Sequence, residues 1–162
     1  MKNICVYPGS FDPVTCGHYD IIKRISKLFD KVYVAVLSNS EKKCMFTVSD
    51  RINMIEKAKE DMSNVHVDAF DGLLVDYLKK VDADIVIRGM RNTADFDMEQ
   101  QMAVVNKKLF PPCETIMFFA SGDTRHISSS LIRELIKNKA DISKFVPETV
   151  NDIIRGLSYE NL

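Results

Sequence analysis

The stretch Tyr7-Pro8-Gly9-Ser10-Phe11-Asp12-Pro13-Val14-Thr15-Cys16-Gly17-His18 decides how this chain folds. It follows an apolar run, Ile4-Cys5-Val6-Tyr7, and leads into Ile21, Ile22, Ile25, Leu28 and Phe29, spaced as one face of an amphipathic helix. The order is strand, Gly/Pro-rich turn, helix, with His18 in the first helical turn. A helix N-terminus carries unpaired N–H groups and a partial positive charge, so anions are stabilised there. An imidazole and the Ser10 hydroxyl beside that terminus make the turn a candidate phosphate site. Gly9 and Gly17 flank it and let the backbone approach a ligand closely. The turn is neither the GxGxxG dinucleotide fingerprint nor a P-loop ending in GK[ST], which disfavours hydride-transfer cofactors and P-loop hydrolysis.

Outward from this unit, apolar runs alternate with helical periods. Val32 to Leu37 is a continuous apolar run, as expected of a parallel strand buried on both faces. Thr47-Val48-Ser49-Asp50 resembles a capping signal before Ile52, Ile55, Ala58 and Met62. Val65 to Phe70 alternates with period two, and a helix is predicted over 73–81. Asp84 to Ile87 forms a fourth strand, and Asn92 to Leu109 a longer helix stopped by Pro111-Pro112. Thr115 to Ala120 is the fifth strand candidate. Ser128 or Ser129 caps the next helix, and Pro147 stands as a first-turn proline of the last one. The expected architecture is α/β, a Rossmann-like doubly wound domain with a five-stranded, mostly parallel sheet. One domain spans 1–162, with C-terminal helices from about 128 onward. Ligands of such sheets bind beyond the carboxyl ends of the strands. On this reading Ser10 to His18, Ser38 to Lys43, Gly72, Arg88 to Arg91, and Ser121 to Ser130 follow strands one to five and converge on one sheet edge.

The chain as a whole sets bounds on function. Its 162 residues are 46% hydrophobic and 28% charged, a globular composition, and the net charge of −1 argues against a dedicated nucleic-acid binder. No stretch has the length and apolarity of a membrane span, and no secretory signal pattern is visible. Cys5, Cys16, Cys44 and Cys113 lie far apart without a CxxC pair, so reduced thiols in a cytoplasmic protein are expected rather than a zinc site or a disulfide framework.

Two motifs carry a resemblance. Thr15-Cys16-Gly17-His18 is similar to the HxGH/TxGH signature of the nucleotidylyltransferase superfamily. Ile127-Ser128-Ser129-Ser130 followed by Arg133 resembles its second signature, a serine/threonine-rich helix start. Within the superfamily the chain resembles the bacterial phosphopantetheine adenylyltransferase family. The similarity runs over Tyr7–His18, Lys42–Thr47, Gly72–Tyr77, Ile87–Asn106 and Ile127–Arg133. The resemblance implies adenylyl transfer from ATP to 4′-phosphopantetheine, yielding dephospho-coenzyme A and pyrophosphate by direct in-line attack. It implies Mg²⁺ accompanying ATP, a homohexamer and possible feedback by coenzyme A.

By the same resemblance, His18 stabilises transition-state charge and Ser10, with Phe11, lies at the ATP phosphates. Lys42 and Arg88 hold the acceptor phosphate, and Leu74 contacts the pantetheine arm. Gly89 and Met90 lie along the nucleotide, and Glu99 is the ribose-side acid. Arg91, with Ser128, Ser129 and Ser130, clamps the β,γ-phosphates, and Thr124, Arg125, His126 and Ile127 complete the ATP site. No set of side chains identifies a protein-held metal. The attacking phosphate is already a nucleophile near neutral pH, so no catalytic triad is needed around His18.

Plainer readings stand beside these. Lys42-Lys43 has the pattern of a solvated loop, and Asp95 and Glu99, four apart, that of two exposed helix carboxylates. Met98 and Met102 read as packing residues. Thr124, Met98 and Cys16 stand where the family often carries an aromatic residue, a tyrosine and an asparagine. The alternatives are a related transferase acting on nicotinamide mononucleotide or a polyol phosphate, and a non-catalytic nucleotide-binding regulatory module.

Overall fold

A computed structural model describes residues 3–38 and 43–157. The parallel pattern of the sequence is realised as five strands, β1 (Ile4–Gly9), β2 (Lys31–Leu37), β3 (Val65–Phe70), β4 (Ile85–Met90) and β5 (Glu114–Phe119), in the order β3-β2-β1-β4-β5. Every pairing is parallel, so the expected mostly parallel sheet is entirely parallel. Between and after the strands run α1 (Cys16–Ile25), α2 (Val48–Ala58), α3 (Leu74–Lys80), α4 (Thr93–Leu109), α5 (Ser129–Lys137) and α6 (Glu148–Gly156), and a 3₁₀ turn spans Gly122–Thr124.

Alternation along the strands divides the core into two layers. Cys5, Tyr7, Val32, Val34, Val36 and Ile87 face one side, where they pack with Ile21, Ile22 and Ile25 of α1, Met54 and Ile55 of α2, Ile132 of α5 and Ile154 of α6. Val6, Ala35 and Val86 face the other, with Tyr77 and Leu78 of α3. The helix starts follow local chemistry. Thr47 accepts from the Asp50 N–H while the Asp50 carboxylate accepts from the Thr47 N–H, closing the capping box foreseen in the sequence. Asn92 and Ser128 cap α4 and α5 through their side-chain oxygens.

Some boundaries are sharpened or moved relative to expectation. The fourth strand runs on through Arg88, Gly89 and Met90, so these residues belong to β4 and not to the loop after it. Of the two serines expected to cap α5, Ser128 does so. Pro147 sits at the N-cap in an extended conformation, one residue before the first turn of α6.

The strand order reverses between β1 and β4, because the chain winds β1-β2-β3 to one side and returns to add β4 and β5 on the other. At that switch the sheet opens. β1 pairs with β2 along Ile4 to Gly9, whereas its ladder with β4 runs over Cys5 and Val6, opposite Ile85 and Val86, and stops. Pro8, which lacks an N–H, falls just past this point.

Ile87 is fully buried at the rim of this opening. Ile87→Ala is expected to lower stability by about 2–5 kcal/mol in urea unfolding, the usual range for emptying a core position. A loss under about 1 kcal/mol would contradict the packing described.

Candidate active site

The opening between β1 and β4 is the mouth of a cavity of about 490 Å³. Its walls are the β1–α1 turn, Lys43 and Cys44 from the β2–α2 connection, the end of β4, Asp95 and Glu99 of α4, and the start of α5. Four of the five expected loops meet there. The fifth, after β3, borders an adjoining cavity of about 380 Å³ through Gly72, Leu73 and Leu74. The two cavities share Pro8, Gly9, Ser10, Arg88 and Glu99, but the second is lined largely by apolar side chains, among them Leu37, Phe70, Val86, Met102 and Leu109. Asn106, buried on α4, is a polar exception in that lining.

The TxGH motif proves to be a helix cap. Thr15 is the N-cap of α1 and accepts the His18 N–H at 3.3 Å, while the Thr15 N–H donates to His18 Nδ1 at 3.1 Å. The reciprocal pair is a capping box with histidine in the place usually held by Glu or Gln. A nitrogen that accepts an N–H carries no proton, so the neutral imidazole keeps its hydrogen on Nε2, on the ring edge opposite Thr15. The Phe11 ring packs edge-on against the imidazole at 5.1 Å and against Tyr7 at 5.4 Å, fixing the ring plane. Phe11 does this from a left-handed backbone, with φ of 48°. Burial, with the nearby charges of Arg91 and Arg88, pushes the His18 imidazole down from 6.5 to about 4. His18 is therefore a neutral donor at physiological pH.

The first turn of α1 has few amides to spare. Cys16 N–H donates to the Phe145 carbonyl and His18 N–H to Thr15, leaving Gly17 N–H beside the cavity. A Cβ on Gly17 would meet Thr124 at 3.7 Å, an ordinary contact, so the fold itself tolerates a methyl there. At the start of α5 the Ser128 hydroxyl is used as the cap, accepting Leu131 N–H, and Ser129 Oγ donates to the Pro13 carbonyl. Those serines thus contribute a positioned helix start, with the amides of its first turn at the cavity wall.

Both site arginines of β4 and the following residue are already paired. Arg88 forks onto Glu99 through Nε and Nη2 and donates Nη1 to the Pro8 carbonyl at 2.8 Å. Arg91 is held by Asp95 through Nε at 3.1 Å and Nη2 at 3.3 Å. Asp95 and Glu99 are therefore ion-pair partners and not the free surface carboxylates their spacing indicated. Met90, Gly89, Thr124 and Ile127 line the main cavity as expected, and Leu74 the second. Arg125 and His126 lie apart from that lining: Arg125 Nε donates to the Arg91 carbonyl, and the exposed His126 ring stands against Phe145. Lys42 lies outside the described residues. Sequence reasoning assigns no role to Asp12 or Arg51. Asp12 and Arg51 bind backbone groups remote in sequence, and Arg133, noted in the second signature, meets Asp12 and Ser130.

Residues 6–135 match the cytidylyltransferase-like family. Phosphopantetheine adenylyltransferase of Alkaliphilus metalliredigens is 47% identical over 90% of this chain and 92% of its own length. The chain belongs to the phosphopantetheine adenylyltransferase family. Members from Caldanaerobacter subterraneus, 50% identical over 91% of this chain and 92% of that one, and Clostridium beijerinckii, 47% identical over 96% and 98%, agree. Among solved structures, nicotinic acid mononucleotide adenylyltransferase of Plasmodium falciparum is similar in fold, with a TM-score of 0.72 at 20% identity over 96% of each chain.

The His18 imidazole is expected to titrate in the ligand-free protein with an NMR midpoint near pH 4 and not near 6.5. Because the folded value lies below the unfolded one, His18 contributes stability above about pH 6.5 that is lost as pH falls towards 4. A midpoint at or above 6.5 would contradict the half-buried, cation-flanked placement. Gly17→Ala is expected to change stability by under about 1 kcal/mol, helix propensity favouring alanine, so any large loss of ligand binding would come from the cavity.

Proposed function

We propose that the chain transfers the adenylyl group of ATP to 4′-phosphopantetheine, giving dephospho-coenzyme A and pyrophosphate, without a covalent enzyme intermediate. The supporting observation is the pair of adjoining cavities, one walled by helix starts and arginines, the other apolar, meeting at Ser10 and Arg88. A nucleotide triphosphate suits the first. An acceptor with a phosphate at one end and a long uncharged arm suits the junction and the second.

In this reading the acceptor phosphate lies at Arg88, with Lys42 a further ligand, and its arm runs past Leu74 and Asn106. Gly89 and Met90 border the nucleotide, with Thr124 and Ile127 on the opposite wall. Arg91 and the helix start at Ser129 and Ser130 hold the β- and γ-phosphates. An acceptor oxygen attacks the α-phosphorus as the bond to the β-phosphate oxygen breaks, and pyrophosphate leaves with that electron pair. The acceptor phosphate, with a second ionisation near pH 6, needs no base. His18 Nε2–H donates to the α-phosphate oxygens that gain charge, a role suited to a neutral, pre-oriented imidazole. Glu99 serves first as the partner of Arg88, and the ribose contact expected of it remains part of the proposal.

Magnesium would enter with ATP, neutralising phosphate charge. The cavity carboxylates do not fit a dedicated cage: Asp12 accepts backbone amides, Asp95 holds Arg91 and Glu99 holds Arg88. Among the described residues no group of three His, Cys, Asp or Glu side chains could hold a metal ion.

A homohexameric, cytoplasmic enzyme open to feedback by coenzyme A completes the proposal. Among the described residues, no helix is long and apolar enough to cross a membrane. Met98 and Val104 on α4 and Ile116 and Phe119 on the edge strand β5 are exposed apolar side chains outside the second cavity, a surface suited to self-association. Light scattering is expected to give the mass of six chains; a monomer would overturn that part.

Pyrophosphate release from ATP is expected with phosphopantetheine and not with nicotinamide mononucleotide or glycerol phosphate. Turnover with either of the latter and none with phosphopantetheine would refute the assignment. His18→Ala is expected to lower kcat by about 10²-fold or more with ATP binding largely kept, the usual effect of removing one transition-state donor.

A further inference from the structure

The wall of the main cavity at Thr124 and Ile127 belongs to the connection between β5 and α5, and that connection has almost no core of its own. Its residues 121–126, Ser-Gly-Asp-Thr-Arg-His, include no apolar side chain and none is buried; the first buried position after β5 is Ile127. Hydrophobic burial therefore cannot fix this stretch, and hydrogen bonds must. Within it, the Thr124 N–H and Oγ1 both donate to the Ser121 carbonyl, at 3.0 and 3.2 Å, so the place of Thr124 depends on that of Ser121. At the far end Arg125 Nε donates to the Arg91 carbonyl at 3.0 Å.

The near end is held from α1. Ser121 Oγ donates to Asp20 Oδ2 at 2.7 Å, and the same oxygen accepts Arg24 Nη1 at 3.2 Å. Arg24 Nη1 also donates to the Phe119 carbonyl at 2.8 Å, with the guanidinium carbon 5.1 Å from the centre of the Phe118 ring. A partly exposed ion pair one helical turn apart adds little to stability by itself. Its placement matters more. Asp20 follows Gly17 and His18 on the same helix, and a Cβ on Gly17 would stand 3.7 Å from Thr124. Ile21, beside Asp20, seats α1 on β4, its Cδ1 only 2.7 Å from where a Cβ on Gly89 would lie. One helix thus carries both the His18 edge of the cavity and the tether of the wall beside it.

We propose that Asp20, Arg24 and Ser121 are positioning residues that tether the β5–α5 connection to α1 and thereby set the affinity for ATP. The proposal rests on the nucleotide lying in the main cavity. None of the three residues lines that cavity or the adjoining one, so each acts through the backbone of the connection. The connection supplies no residue to the apolar cavity assigned to the acceptor's arm, so the effect falls on the nucleotide.

Ser121→Ala removes the hydroxyl from an exposed position, where substitution costs the fold little. Titration calorimetry is expected to give an ATP Kd about fivefold or more weaker, in line with loss of a charge-assisted hydrogen bond, while the Kd for phosphopantetheine moves less than about twofold. Ser121→Thr, which keeps a hydroxyl, is expected to restore ATP affinity to within about twofold of wild type. Asp20→Ala is expected to weaken ATP binding in the same selective way. A merely structural role would lower the melting temperature and leave the ratio of the two affinities unchanged. That result, equal losses of both affinities, or no rescue by threonine would overturn the proposal. Amide exchange at Thr124 is expected to quicken about tenfold in Ser121→Ala, and unchanged exchange overturns the tether without reference to any ligand. A wild-type chain that binds ATP but releases no pyrophosphate with phosphopantetheine would refute the assigned reaction, while the ATP affinities and the exchange at Thr124 still judge the tether.

Discussion

Everything at the site depends on a place where the sheet stops being a sheet. Between β1 and β4 the hydrogen-bond ladder ends after Val6 and Val86, and the carbonyl of Pro8 is left without a backbone partner on that side. A side chain supplies what the neighbouring strand does not: Arg88 Nη1 takes the Pro8 carbonyl while the rest of the guanidinium is forked on Glu99. A proline inside a central strand is ordinarily unfavourable because it cannot donate to the ladder. Placed where the ladder has already parted, its missing donor costs nothing, and the gap becomes a cavity with a cation at its waist. The same cation separates the polar compartment from the apolar one.

Much of this was legible in the sequence. Continuous apolar runs at Val32–Leu37 and at Ile4–Tyr7 identify buried parallel strands, because both faces of such a strand must be covered. Thr15-Cys16-Gly17-His18 and Ile127 to Ser130 point to two helix starts, and both starts reach the cavity. What escaped the sequence shares one cause. Asp12 and Arg51 bind backbone amides and carbonyls, which every residue possesses, so no side-chain pattern marks their partners. Arg88 and Glu99 stand eleven residues apart across a strand-to-helix turn, beyond the reach of helical spacing rules. Arg91 and Asp95 are at helical spacing, but Arg91 precedes the helix, and the pair forms because the Asn92 cap turns the chain there. The extra length of β4 likewise depends on its pairing with β5 as far as Met90 and Phe119.

The charge arrangement also has an internal logic. Positive groups near a phosphate site attract substrate but repel one another and the protonated form of any neighbouring imidazole. Pairing Arg88 and Arg91 with carboxylates of one helix keeps both guanidinium groups oriented before any ligand arrives. Enough positive field remains, together with burial, to keep the His18 ring uncharged.

The histidine cap of α1 carries a consequence for how such a site fails. The tautomer of an imidazole is commonly set by a hydrogen bond from one ring nitrogen to a carboxylate or a backbone carbonyl. Here the proton's address is written by the N–H of Thr15, the helix's own cap. Helix ends open far more readily than cores, by local events that leave the rest of the molecule intact. The orientation of the His18 ring is thus tied to the integrity of four consecutive residues, and warming or mild denaturant would release it while spectroscopic signals of the folded sheet still looked whole.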